Sequence, residues 1–218
     1  MAKTSFANEV IASYKKIVNL LYENKLISNY NELSEKNSGH KKIIEYCSKD
    51  NSSRCLYDSS ISASDLYSQL YQSNQFNIEF ADGSILLFEC TIERKNIIKQ
   101  RIVFIKIFDN LVAINADKNS WEYYQANDDE KNQLSFPILL RVDYNANEQK
   151  NDHPISHLTI SNIENCRIPI VANWGIDRFI EFVIHEFFHR YDICFDKIDF
   201  DSTIKEIEKK RIHINWGK

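Results

Sequence analysis

The sequence predicts an α+β fold: an antiparallel meander sheet with N-terminal and C-terminal helices packed on one face. Three observations carry this expectation. Apolar residues recur every three to four positions before about residue 75, every two positions from Phe76 to Ile163, and every three to four again after Asp177. Residues 102–108 are apolar on both strand faces, as a central strand requires. Asp82-Gly83 stands between two alternating runs, the mark of a hairpin. With 218 residues the chain fits a single domain, with a helical region at 1–75, the sheet at 76–169 and C-terminal helices at 170–218.

Taken in order, residues 5–28 read as a helix. Val10, Ile11, Tyr14, Ile17, Val18 and Leu21 form one apolar stripe, Ser5 is placed to cap it, and Glu9 sits in the first turn. Residues 29–38 are polar and read as loop up to Gly39, and residues 41–47 as a short helix. Residues 62–72 carry Leu66, Tyr67, Leu70 and Tyr71 in helical stripes. Phe76, Ile78 and Phe80 then alternate with polar residues, and 85–93 is the return strand, with Leu86, Phe88, Cys90 and Ile92 on one side. After the central strand, 111–116 continues the meander and 127–132 is a charged loop. Residues 138–144 and 157–163 are two further strands, joined by a polar connection at 145–152. Pro169 closes the sheet, Asp177 caps a helix over 178–191, and 202–211 is a last helix. The sheet face left open by the helices is the expected place for a site.

Bulk composition narrows the function. Hydrophobic residues make up 43% of the chain and aromatics 12%, ample for a core, while 4 Gly and 3 Pro exclude long flexible linkers and folds built on a glycine-rich phosphate loop. A net charge of −4 excludes a bulk polycationic binder and leaves only a local basic patch open. The five cysteines (47, 55, 90, 166 and 194) form no Cys-x-x-Cys pair and read as reduced thiols of a cytoplasmic protein. No stretch approaches the roughly 20 apolar residues of a membrane span, and no apolar run at the start reads as a signal peptide.

The densest chemical signal lies between residues 138 and 169. Strand parity points Arg141 and Asp143 the same way, and His157, Thr159 and Ser161 share a face of the next strand. Pairing of these strands would bring Arg141, Asp143 and His157 onto one patch, with His153 at its rim and Arg167 close behind. An imidazole beside a carboxylate is a competent acid or base near neutral pH, and arginine offers a rigid fork to a phosphate. This set suits phosphodiester chemistry without a metal or other cofactor. The same residues also fit an ordinary solvated sheet face.

A second motif is His185-Glu186-Phe-Phe-His189, which matches His-Glu-x-x-His. On a helix, His185 and His189 would lie one turn apart and could hold Zn²⁺, with Glu186 as base for a bound water. Arg178, Glu181, His185, His189 and Asp192 equally form the polar stripe of an amphipathic helix, the reading preferred here.

The segments Arg141-Val-Asp143-Tyr144, His153-Pro-Ile-Ser-His157-Leu-Thr-Ile, Glu164-Asn-Cys166-Arg167-Ile-Pro169 and Phe179-Ile-Glu-Phe resemble a bacterial family, the domain of unknown function numbered twenty-two-ninety, over roughly residues 76–190. The order of an Asp82-Gly83-Ser84 strand, an Arg-x-Asp strand, a His-Pro segment, another His and a final helix is more distantly similar to TumE-like toxins. That resemblance implies an effector or accessory protein of a toxin–antitoxin or antiphage-defence system, acting on RNA, with a partner encoded nearby. The alternatives are a non-catalytic module that binds a larger defence protein and, through residues 185–189, a zinc metallopeptidase.

Overall fold

The computed structural model describes residues 5–46, 61–106, 137–147, 154–161, 166–170, 174–190 and 192–195. His153, the strand expected at 111–116, the charged loop at 127–132, the last helix, Cys47 and Cys55 lie outside these residues. Cys90, Cys166 and Cys194 are free thiols. Among the described residues there are three helices, α1 (Phe6–Glu23), α2 (Ala63–Gln72) and α3 (Ile176–Phe188). Nine strands accompany them: β1 (Ile27–Tyr30), β2 (Leu33–Ser38), β3 (Lys41–Tyr46), β4 (Ile78–Phe80), β5 (Ile85–Glu93), β6 (Asn96–Lys106), β7 (Ile138–Asn145), β8 (Ser156–Ile160) and β9 (Ile168–Pro169). No helix among the described residues is long and apolar enough to cross a membrane.

All the strands join one sheet with the path β1-β4-β5-β6-β7-β8-β9, and every described pairing is antiparallel. β3 and β4 flank the same side of β5 end to end, β4 at Ile85 and Leu86, β3 at Cys90 to Glu93. The α+β class and the meander from β4 to β8 are as expected. The N-terminal region differs: residues 27–46 form three strands, where the sequence pattern predicts the end of a helix, a loop and a short helix. β2 is an outer strand with mostly polar, exposed residues, so it carries no apolar alternation. Its partner β3 begins Lys-Lys-Ile-Ile, a run whose period is ambiguous over so few residues.

The helices follow from local signals. Ser5 caps α1, its hydroxyl accepting the Asn8 amide at 3.3 Å. α1 stops at Glu23 instead of 28 because Lys25 turns into the left-handed region at φ 57° and the chain enters β1. Ser62 caps α2 in the same way as Ser5. At α3 the cap is Gly175, not Asp177, which lies buried inside the first turn.

The sheet has two apolar faces. α1 and α3 cover one, where Leu86, Phe88, Ile102, Phe104, Val142 and Leu158 meet Tyr14, Val18, Phe179 and Val183 in the large core. The Tyr14 hydroxyl lies 2.8 and 2.9 Å from the carbonyl oxygens of Asn31 and Asn77, which share its one proton, and this fastens α1 to the end of β1 and the start of β4. Gln100, buried on β6, donates to the Trp174 carbonyl oxygen just before α3. The opposite face is not bare. α2 packs Leu66, Tyr67 and Leu70 on Leu87, Val103, Ile105 and Leu139, and the polar site residues continue along this face beyond it.

Candidate functional site

Register builds the site. Glu89 pairs with Arg101, Arg101 with Asp143, Asp143 with His157 and His157 with Pro169, so one rung crosses β5 to β9. Facing partners on a sheet share a side, and Arg141 and Thr159, which pair with each other, stand on that side two residues away. The rung continues the α2 face, opposite Ile102 and Val142, which are buried in the large core.

Asp143 is the centre. Its Oδ1 accepts from Arg101 Nε at 2.6 Å and its Oδ2 from Arg141 Nε at 2.7 Å. His157 Nε2 stands 3.6 Å from Oδ2, and His157 Nδ1 is 3.2 Å from the Pro154 carbonyl oxygen. Side-chain exposures of 13% for Asp143, 11% for Arg101, 21% for Arg141 and 4% for His157 put the cluster mostly out of water. Burial alone pushes the Asp143 carboxyl upward, but the Arg101 and Arg141 guanidiniums, with a smaller contribution from His157, hold it below the usual carboxylate range. Two cations bound to one carboxylate leave positive charge facing the sheet surface. Glu89 beside Arg101 matches that one charge, and Lys99, on the same face two residues from Arg101, brings the group back to one net positive charge. Such an arrangement is suited to receiving an anion.

The sequence-predicted residues Arg141, Asp143 and His157 are thus brought together. Arg167 sits half-buried just before β9, at the far edge of the sheet. Arg101, Glu89 and Lys99 join Arg141, Asp143 and His157 through the register of β5, β6 and β7. The available signal was parity with Val103 and Ile105, but β6 begins at Asn96, six residues before the expected strand.

The second motif takes a different form. α3 ends at Phe188, and His189 follows in the left-handed conformation at φ 52° and is exposed. His185 turns Nε2 to the Ile193 carbonyl oxygen at 3.2 Å, and Glu186 is exposed. The two imidazoles therefore do not share one helix face a turn apart, as zinc binding through His-Glu-x-x-His needs. Among the described residues no three His, Cys, Asp or Glu side chains gather around a common point. Metal analysis of purified protein is expected to find no stoichiometric zinc; one equivalent, lost on His185→Ala, would restore the metallopeptidase alternative.

No curated protein and no solved structure matches the chain at a significant level. The model of the family DUF2290, described as an uncharacterized conserved protein, matches residues 26–216, and the chain belongs to that family.

Proposed function

We propose that the protein is an effector or accessory component of a bacterial toxin–antitoxin or antiphage-defence system that cleaves RNA without a metal. The convergence of Arg101, Arg141, Asp143 and His157 on one rung supports this reading most directly. In this mechanism Arg101 and Arg141 hold the phosphate and the charge that develops on it. Asp143 orients the His157 ring. The ribose 2′-oxygen attacks phosphorus and gives its proton to one imidazole, and the leaving 5′-oxygen takes a proton from the other; His157 and His153 are the pair, with Arg167 a second anion contact. The test is expression in a host that lacks any partner, together with an RNA-cleavage assay. The wild type is expected to be toxic and to cut RNA. His157→Ala is expected to slow cleavage by roughly 10²–10⁴-fold while still unfolding cooperatively.

One observation favours a second reading. His157 is 3% exposed and both its ring nitrogens already face acceptor oxygens. That suits a structural rung in a non-catalytic module whose polar face binds a larger defence protein encoded nearby. A harmless wild type that cuts no RNA and co-purifies with such a neighbour replaces the first reading with this one.

A further inference from the structure

Two hairpin turns lie side by side at one end of the sheet. Gly39-His40 joins β2 to β3, and Arg94-Lys95 joins β5 to β6. Lys41 pairs with Glu93, and Glu93 with Asn96, which sets the turns next to each other. His40, Lys41, Lys42, Arg94 and Lys95 therefore gather at this end, and Lys99 follows on β6. Some of the local charge is internally matched: Lys42 bonds Glu35 at 2.7 Å, and Lys36 pairs with Glu45. Lys41, Arg94 and Lys95 make no ion pair among the described residues, and Glu93, which pairs with Lys41 across the strands, stands among them.

The fold does not require this chemistry. A two-residue hairpin turn prefers Asn and Gly, yet Arg94 takes φ 59°, which disfavours any residue with a Cβ. Like charges crowded on adjoining turns also repel. A cationic pair of turns in a chain of net charge −4 is a local basic patch of the kind that suits an anionic ligand.

Space and direction narrow the class of ligand. A hollow of about 630 Å³ opens beside the turns, lined by His40, Lys42, Glu93, Arg94 and Asn96 with Ile92 and Ile98 as apolar wall. A second, of about 180 Å³, lies further along β6, between Ile43, Thr91, Lys99 and Arg101, with Glu89 at its side. Lys99 and Arg101 point the same way, roughly 6.6 Å apart along the strand, and Arg101 is itself bound to Asp143. On the α2 face, Lys41, which pairs with Glu93, and then Lys99 and Arg101 lead from the turns to the Asp143 rung, while Lys42 and Ile92 of the larger hollow belong to the face covered by α1 and α3. The track follows one strand of the sheet, and Ile43 gives the smaller hollow beside it an apolar wall for a base that a duplex would keep stacked.

We propose that this end of the sheet binds the backbone of single-stranded RNA and leads it over Lys99 to Arg101; this rests on the RNA reading above and extends it to how the strand arrives. The test is fluorescence anisotropy of a fluorescein-labelled single-stranded RNA of mixed sequence with the full chain, over a range of NaCl concentrations. Arg94→Glu/Lys95→Glu is compared with the wild type and with Lys15→Glu on α1, each first checked for an unchanged unfolding midpoint. The double variant is expected to bind more weakly. Its slope of log Kobs against log salt should be shallower by about 1.4, from two phosphate contacts at about 0.7 each. Lys15→Glu should match the wild type. Equal affinity and slope for the double variant overturn the proposal. So does equal binding of duplex RNA, or a wild type that binds polyglutamate and no RNA, which would assign the surface to an acidic protein. RNA bound here but never cut sinks the cleavage reading and leaves this surface standing. RNA cut equally well by wild type and double variant does the reverse.

Discussion

Asp143→Ala is expected to lower stability by about 3–5 kcal/mol at neutral pH. Asp143 lies where β6, β7 and β8 share a rung, and its two oxygens each take a guanidinium Nε–H. Removing it leaves Arg101 and Arg141 close together and mostly out of water, without the anion that made their burial tolerable. Asp143→Asn keeps the shape and one acceptor but not the charge, so its loss should be smaller. The dependence on pH has a definite sign. Since the folded-state carboxyl is held below its ordinary value, its contribution is present above the unfolded value of about 3.9 and disappears as pH falls through the folded one. Urea unfolding of wild type and Asp143→Ala should therefore differ fully at pH 7 and converge in stronger acid. A difference under about 1 kcal/mol at pH 7, the range of an exposed pair, or one that is the same at pH 7 and pH 3, would contradict a buried network centred on this carboxylate.

Strand parity alone placed Arg141, Asp143 and His157 on one face, because a period of two survives whatever the rest of the fold does. It could not supply Arg101. The strand that carries it begins at Asn96, after an Arg94-Lys95 turn with none of the Asn or Gly that announces a hairpin, and its first residues are polar. The β2–β3 hairpin was hidden for a related reason: an outer strand with most of its residues in water has no apolar alternation to read. The side taken by α2 is also a tertiary fact. Leu66, Tyr67 and Leu70 show that the helix buries a stripe, but only the register of β5, β6 and β7 shows that Leu87, Val103, Ile105 and Leu139 are there to receive it, opposite α1 and α3. The His-Glu-x-x-His match shows the converse hazard. Five residues satisfied a pattern whose geometry depends on the helix continuing through the last of them, and His189 is where α3 stops.

Phe104→Ala should cost about 3–5 kcal/mol, the range for emptying a phenylalanine site in a packed core. Phe104 is fully buried on β6. Its ring meets Phe80 of β4 edge to face, with centroids 5.6 Å apart at 83°, and Phe187 of α3 at 5.3 Å. Phe80 in turn stacks on Phe188 at 4.9 Å. Four rings therefore join the middle of the sheet to the last turn of α3, whose end is otherwise fixed by the left-handed His189 and the Arg190 amide donating to the Ile184 carbonyl oxygen at 3.2 Å. The vacated site cannot close easily, since the sheet beneath is held by its ladder and the helix above by Ile180, Val183 and Ile184 in the same core. Amide exchange should accordingly quicken in the last turn of α3 more than in its first. Phe104→Leu, which refills most of the space, should recover much of the loss. A Phe80→Ala/Phe104→Ala double-mutant cycle should return a coupling of about 0.5–1.5 kcal/mol for the edge-to-face pair. Additive single losses, or exchange in α3 unchanged by Phe104→Ala, would show that the helix is seated by its aliphatic stripe alone and that the aromatic cluster is incidental to it.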